Sequence, residues 1–127
     1  MLRKTDFYID GQWVNPATFN DYEVINPATE EAFALISLGS SSDVDLAVAA
    51  ASSAFPIWSL VSHQERIEKL KVLADIYEAR SNEMADAIST EMGAPIKLAI
   101  NSQTAAGLGH LKAFIRALEE FNFEHQL

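Results

Sequence analysis

Few side chains in this sequence have the types and spacing that chemistry requires. The chain has three histidines and no cysteine, so a cysteine nucleophile, a thiolate metal site and a disulfide are excluded within it. The histidines lie too far apart in the sequence to match the ligand spacing of a zinc site; they are His63, His110 and His125. We interpret each as a surface or edge residue, and we predict no catalytic residue in this chain.

Two other patterns resemble functional motifs only superficially. Gly107-Leu108-Gly109 begins like a dinucleotide fingerprint, but it lies in a predicted helix, follows no strand and lacks the third glycine. Glu119 and Glu120 are adjacent, and neighbours on a helix point about 100° apart, so they do not converge as a general acid and base would. A solvated helix face explains the glutamates, and no cofactor-binding residue is predicted.

The composition indicates a folded domain and excludes some partners. The chain has 127 residues, of which 49% are hydrophobic and 21% charged, which is ordinary for one globular domain. With 18 acidic and 9 basic residues, the net charge is −9. Because a phosphate surface would repel such a protein, we expect neither a nucleic-acid nor an anionic-membrane partner.

The sequence also lacks the signals of membrane insertion. No run approaches the roughly 20 apolar residues that a membrane span needs. Residues 1–6 have no apolar core that could act as a signal peptide. We therefore predict a cytoplasmic protein without a membrane partner.

Alternation of apolar and polar side chains predicts strands in the first forty residues. Residues 7–14 alternate around Asp10-Gly11, a pair suited to the positive backbone angles of a type I′ turn, which predicts a hairpin. Two further strands are predicted at residues 22–26 and 33–38. Between them the Asn26-Pro27 bond keeps Asn26 extended.

After Gly39 the hydrophobic period changes to three and four residues, which predicts helices over residues 42–121. Ser42, with Asp45 three residues later, is the predicted start of the first helix. Pro56 is expected to end this helix or to bend its last turn. The sequence therefore predicts an α+β architecture, in which residues 1–40 are mostly β and three or four α-helices follow.

A second helix start is marked more clearly. Residues 62–65 form a Ser-x-x-Glu capping box before an apolar stripe of helical spacing. Further along, Ser81 and Asn82 are favourable caps, so one long helix and two helices meeting there both remain open. Gly93 then supplies a stop.

The last helix is predicted from Pro95, which fits a first turn, to about Glu120. Gly107 and Gly109 lie inside it, and each costs roughly 1 kcal/mol relative to alanine. We expect a close approach of the helix backbone to a neighbour, within or outside this chain, to explain them. Residues 122–127 show no clear pattern.

Five segments follow one another in a recognisable order along the chain. They are FYIDGQWV (7–14), EVINPATEE (23–31), AFPIWSL (54–60), ERIEKLKVLADIYEARSNEMADAI (65–88) and TEMGAP (90–95). Together they resemble the N-terminal segment of the NAD(P)-dependent aldehyde dehydrogenases, and the resemblance covers nearly all of residues 1–127. One departure is Glu31, where many relatives have a glycine, and it puts the turn geometry there in question.

This resemblance implies a place in a larger fold. In the family, the N-terminal portion supplies strands and helices that pack around an open α/β nucleotide-binding domain. The catalytic domain and most of the nucleotide-binding domain would lie outside residues 1–127. The implied role of residues 1–127 is to support and shape the domains around which they pack.

The resemblance also implies a chemistry. In these enzymes a cysteine attacks a small-molecule aldehyde to form a thiohemiacetal, hydride passes to NAD or NADP, and a glutamate-activated water hydrolyses the thioester. Since none of those groups is in this chain, we expect it to be inactive and to bind no cofactor by itself. Apolar helix faces that other domains would cover predict self-association.

Two alternatives to this interpretation remain open. The chain could be a standalone helical binding or regulatory module derived from the family. It could also be a purely structural α+β domain whose resemblance to the family is coincidental.

A substrate tunnel is implied by the resemblance at the last helix. Alignment through the MGAP motif places Leu98, Ser102 and Ala106 near the tunnel that admits the aldehyde. Small side chains at Ser102 and Ala106 would then leave room for a bulky substrate. The alternative is that these side chains only pack between helices.

A monovalent cation site is implied in the same way. Some family members hold the cation with an acidic side chain that matches Glu91 and a backbone carbonyl that matches Val24. The alternative is an exposed Glu91 carboxylate at the unfavourable end of a helix dipole.

Overall fold

The computed structural model describes residues 1–123. By its internal contacts the chain divides into two compact units, Met1–Leu60 and Val61–Leu127. His125 lies outside the described residues. Within residues 1–123, none of the helices combines the length and apolar character needed to cross a membrane.

The first unit contains all the strands and one helix. A three-stranded sheet has the order β1-β5-β4, in which β1 runs parallel and β4 antiparallel to β5. The other two strands form a separate antiparallel pair. The elements are β1 (Leu2–Lys4), β2 (Phe7–Ile9), β3 (Gln12–Val14), β4 (Asp21–Asn26), β5 (Glu31–Ser37) and α1 (Ser41–Trp58).

The predicted hairpin is present as β2 and β3. Tyr8 lies opposite Trp13, and their rings are 5.2 Å apart between centroids, a cross-strand pair that stabilises the ladder. Asp10 has φ 51° and Gly11 has φ 75°. Both residues of the turn therefore adopt the positive angles of a type I′ hairpin, and the prediction is confirmed.

The connection between β4 and β5 differs from the prediction in one residue. The Glu30 amide donates to the Asn26 carbonyl at 2.8 Å, and Glu30 has φ 60°. Only glycine occupies this left-handed region without a steric cost. The glycine-favouring position is thus Glu30 rather than Glu31, which already begins β5.

The start of α1 also differs from the prediction. The capping box is formed by Ser40 and Asp43, two residues before the predicted pair Ser42 and Asp45. The Asp43 carboxylate accepts hydrogen bonds from the Ser40 amide at 2.7 Å and hydroxyl at 2.6 Å. Pro56 does not end the helix, which continues to Trp58.

The second unit is helical. The sequence left one long helix and two helices meeting near residue 81 both open, and the structure has two, with Arg80 at the junction instead of Ser81 or Asn82. Gly93 ends α3 with φ 69°, as predicted for a stop. The elements are α2 (His63–Ala79), α3 (Ser81–Met92), α4 (Ile96–Leu98), a π-helical segment (Ala99–Thr104) and α5 (Ala105–Glu120).

The core of the second unit lies between α2 and α5. Ile67, Ala74 and Ile115 are its buried members, and half-buried leucines pack around them. Fully burying an isoleucine stabilises a fold by roughly 1.5–3 kcal/mol, so this contact is the main force between the two helices. The half-buried members are Leu70, Leu108, Leu111 and Leu118.

Candidate functional site

The turn between α3 and α4 fixes where the candidate segment begins. Gly93 adopts the left-handed conformation, and the Ser89 hydroxyl donates to the carbonyl of Ala94 at 2.8 Å. Ala94 is itself buried. Pro95, with φ −54° and ψ 131°, caps α4, so the helix starts at Ile96 and not at the proline. This anchored turn sets the direction in which α4 leaves α3.

The three predicted tunnel residues lie along α4, the π-helical segment and the start of α5. Leu98, Ser102 and Ala106 are spaced by four residues, which places successive members on one side of a helix. All three are exposed in this chain. The second unit therefore does not bury them between its own helices.

The opposite side of the same stretch is buried. Ala99 is 0% exposed and Thr104 is 3% exposed. These residues are five apart, and the i→i+5 bonding of a π-helix brings such residues to the same side. A continuous α-helix, as the hydrophobic spacing predicts, would separate them by about 140°. The π-helical segment was therefore missed by sequence reasoning.

Tyr77 of α2 contacts this segment at its end. The Tyr77 hydroxyl donates a hydrogen bond to the carbonyl of Thr104 at 3.1 Å. A Cβ on Gly107 would lie 2.3 Å from the Tyr77 hydroxyl oxygen, which is well inside contact distance. The expected close approach at Gly107 is therefore present, and the neighbour is the Tyr77 side chain. A Cβ on Gly109 would meet nothing within 4 Å.

The model of the aldehyde dehydrogenase family matches residues 13–126. This chain belongs to the aldehyde dehydrogenase family. The prediction of an N-terminal segment of that family, with strands followed by helices, is confirmed.

Individual aldehyde dehydrogenases match almost the whole chain. The 3-succinoylsemialdehyde-pyridine dehydrogenase of a Pseudomonas species is 48% identical over 123 residues, which are 96% of this chain and 26% of that protein. A crystal structure of the Bartonella henselae aldehyde dehydrogenase has a TM-score of 0.98 and 50% identity, covering 100% of this chain and 27% of that one.

A third relative was crystallised with ligands. A mutant of aldehyde dehydrogenase C from Pseudomonas syringae, in complex with NAD+ and octanal, has a TM-score of 0.94 and 38% identity. The match covers 97% of this chain and 25% of that one. This chain thus spans about a quarter of the length of the relatives that it matches.

The residues predicted for a cation site belong to different units. Glu91 is exposed in the last turn of α3, and Val24 is half-buried in β4, opposite Ala34. Because Val24 lies in the first unit and Glu91 in the second, the pairing of these residues stays a prediction. Among residues 1–123, no group of three or more histidine, aspartate or glutamate side chains is arranged to hold a metal ion.

Among residues 1–123, the histidines and glutamates for which the sequence predicts no catalytic role lie at helix ends and on a helix surface. The His63 ring nitrogen Nε2 forms a hydrogen bond with the Leu118 carbonyl near the end of α5, and His110 is exposed. Glu119 pairs with Lys71 at 2.7 Å, and both side chains are exposed. These contacts are those of helix ends and a solvated helix face.

Carboxylates with shifted pKa values also serve helix ends. The Ser40 hydroxyl, with the amides of Ala17 and Ser40, lowers the pKa of Asp43 below its usual value. The amide and hydroxyl of Ser62 lower the pKa of Glu65 in the same way. Because each carboxylate accepts hydrogen bonds from its own helix start, these shifts indicate structural roles.

Proposed function

We propose that this chain is the N-terminal part of an enzyme that oxidises aldehydes to carboxylic acids with NAD or NADP. The observation that carries the proposal is the match of residues 13–126 to the aldehyde dehydrogenase family, together with the TM-score of 0.98 to an enzyme of that family. Complexes of relatives with NAD+ support the choice of a nicotinamide cofactor.

The reacting groups would come from outside these 127 residues. A cysteine would attack the aldehyde, and this chain contains none. NAD or NADP would accept the hydride, and hydrolysis of the thioester would release the acid. The role that we propose for this segment is to support the nucleotide-binding domain and to shape the path of the substrate.

The exposed side formed by Leu98, Ser102 and Ala106 is proposed as a wall of the aldehyde tunnel. Exposure of all three in this chain supports a contact outside the second unit. Octanal in the complex of a relative that is 38% identical supports a long apolar aldehyde. The small side chains of Ser102 and Ala106 would leave room for it.

A substitution at Ala106 tests this wall. In the full-length enzyme, Ala106→Leu adds volume to the tunnel and is expected to lower kcat/KM for a long aldehyde about tenfold more than for acetaldehyde. Ala113→Leu, at an exposed position of the same helix, is the matched control. Equal effects of both variants on all aldehydes would contradict the tunnel wall.

We also propose that Glu91 and the Val24 carbonyl hold a monovalent cation. The position of the exposed Glu91 carboxylate in the last helical turn, where the dipole disfavours a negative charge, supports a compensating cation. In the full-length enzyme, replacing potassium or sodium by a bulky organic cation is expected to lower Tm, and Glu91→Gln to abolish that response. Glu120→Gln, at the end of α5, should leave it intact.

Self-association of the isolated chain is proposed from its apolar surface. Large apolar side chains on α1 are exposed, and patches of this kind mark surfaces that a partner covers. Sedimentation should therefore show association that grows with concentration, and a compact monomer would contradict it. The exposed apolar side chains on α1 are Val44, Leu46, Val48, Phe55, Ile57 and Trp58.

A cytoplasmic location stays a prediction from the sequence.

The coding sequence downstream of Leu127 tests the proposed function. We expect the frame to continue into a nucleotide-binding site and a segment with a catalytic cysteine, and the full-length product to form NADH from aldehydes. A frame that stops there would contradict the enzyme and favour a binding module. The isolated chain should form no NADH; formation in proportion to its concentration would also contradict the proposal.

A further inference from the structure

Tyr77 joins α2 to the last residue of the π-helical segment. Its hydroxyl donates to the Thr104 carbonyl at 3.1 Å, and Thr104 is almost completely buried. A π-helical segment has the effect of one extra residue in an α-helix, and it persists only where the surroundings favour it. The Tyr77 hydrogen bond is therefore placed where the register of this segment is set.

Side chains of the segment itself supply little of that support. Within residues 1–123, the buried atoms Gln103 Oε1 and Thr104 Oγ1 have no hydrogen-bond partner. The Gln103 Nε2 atom donates to the sulfur of Met92 at 3.6 Å, and sulfur is a weak acceptor. Tyr77 is thus the stronger polar contact on this stretch.

Gly107 leaves the space that the Tyr77 ring occupies. An ideal Cβ at this position would lie 2.3 Å from the hydroxyl oxygen and 2.8 Å from Cζ, so an alanine would displace Tyr77. Gly109, two residues later in the same helix, has nothing within 4 Å of an ideal Cβ. Gly107→Ala therefore changes both the helix propensity and the Tyr77 contact, whereas Gly109→Ala changes only the helix propensity.

The register decides how the exposed side of the segment is aligned. A change of helical register by one residue rotates the helix N-terminal to that point by about 100° relative to α5. Leu98 and Ser102 lie on the N-terminal side of Thr104, and Ala106 lies beyond it in α5. Loss of the π-helical register would therefore rotate the first two side chains relative to the third.

We propose that Tyr77 is a positioning residue that holds the π-helical register of residues 99–104 and thereby sets the alignment of Leu98 and Ser102 with Ala106. Through this alignment it determines which aldehydes the tunnel wall admits. The consequence for substrates rests on the proposed function, whereas the register itself does not.

The first measurement is amide hydrogen exchange in the full-length protein. Tyr77→Phe removes only the hydroxyl, and Gly107→Ala displaces the ring. Each is expected to accelerate exchange at residues 99–104 by about fivefold, as the loss of one hydrogen bond would. The matched controls are Tyr22→Phe, at an exposed strand position, and Gly109→Ala. Exchange that is unchanged in both test variants would overturn the proposal.

The second measurement is kinetic and uses the same four variants. Tyr77→Phe is expected to change the ratio of kcat/KM for octanal to that for acetaldehyde by about threefold or more, with KM for NAD unchanged. A merely structural role would lower Tm and scale both aldehydes equally, which would overturn the substrate consequence. Full-length protein that oxidises no aldehyde would instead overturn the proposed function, while the exchange result would still decide the register.

Discussion

The helices α1 and α2 begin with the same chemical device in different surroundings. At Ser62, the hydroxyl accepts from the Glu65 amide while the Glu65 carboxylate accepts from Ser62, and both residues are exposed. At Ser40 the partner is Asp43, which is 5% exposed and accepts a further bond from the Ala17 amide at 2.8 Å. The α1 box therefore holds a loop as well as a helix end.

This difference explains why only one start was predicted correctly. Around α2 a single Ser-x-x-Glu match exists, so local sequence determines the cap. Before α1, Ser40 with Asp43 and Ser42 with Asp45 both match Ser-x-x-Asp. The amide of Ala17, distant in sequence, binds Asp43 and favours the first register.

The largest expected effect comes from Asp43→Asn. This change removes the charge that accepts hydrogen bonds from Ala17 and from Ser40, and it leaves these partly buried donors less well paired. We expect Tm to fall by several degrees, and by clearly more than for Glu65→Gln, when both are followed by circular dichroism. Equal losses would show that the Ala17 contact adds nothing to the cap.

Substitution of the two candidate serines tests the register of α1 directly. Ser40→Ala is expected to lower the free energy of unfolding by about 1 kcal/mol, the usual effect of losing an N-cap. Ser42→Ala lies inside the first turn and should change it by less than about 0.5 kcal/mol. Denaturant unfolding measures the free energy of unfolding of both variants. A larger loss for Ser42→Ala than for Ser40→Ala would show that Ser42 caps the helix.

The smallest expected effect is the pH dependence of the two boxes. The folded-state pKa of each carboxylate is lowered from its usual value, 3.8 for Asp43 and 4.5 for Glu65. Their stabilisation is therefore present above those values and is lost as the pH falls through the lower folded-state pKa. The Tm difference between wild type and Asp43→Asn should narrow as acid is added below about pH 4. A constant difference would argue against a charged cap.

Other elements show the same division between local and distant causes. Asp10-Gly11 encodes the hairpin turn within two residues, so its prediction succeeded. The strand β1 has only three residues and forms by pairing with β5, so no period could reveal it. The loss of a glycine between β4 and β5 was recognised from sequence, but it was assigned to Glu31, whereas the left-handed residue is Glu30.

The candidate site was only partly accessible from sequence. Leu98, Ser102 and Ala106 came from the family resemblance, and the structure adds that they share exposure. Gly107 was noticed as an unfavourable residue in a helix, but Tyr77 carried no signal of its own. Its role depends on the packing of α2 against α5, which places its hydroxyl on Thr104.

The most direct test of the account exchanges a segment between enzymes. The matching quarter of the Bartonella henselae aldehyde dehydrogenase would be replaced by residues 1–127, with the intact enzyme and the enzyme lacking that quarter as controls. Aldehyde-dependent NADH formation is the measurement. The account predicts that the hybrid keeps activity within an order of magnitude of the intact enzyme. A folded hybrid that binds NAD but oxidises no aldehyde would contradict it.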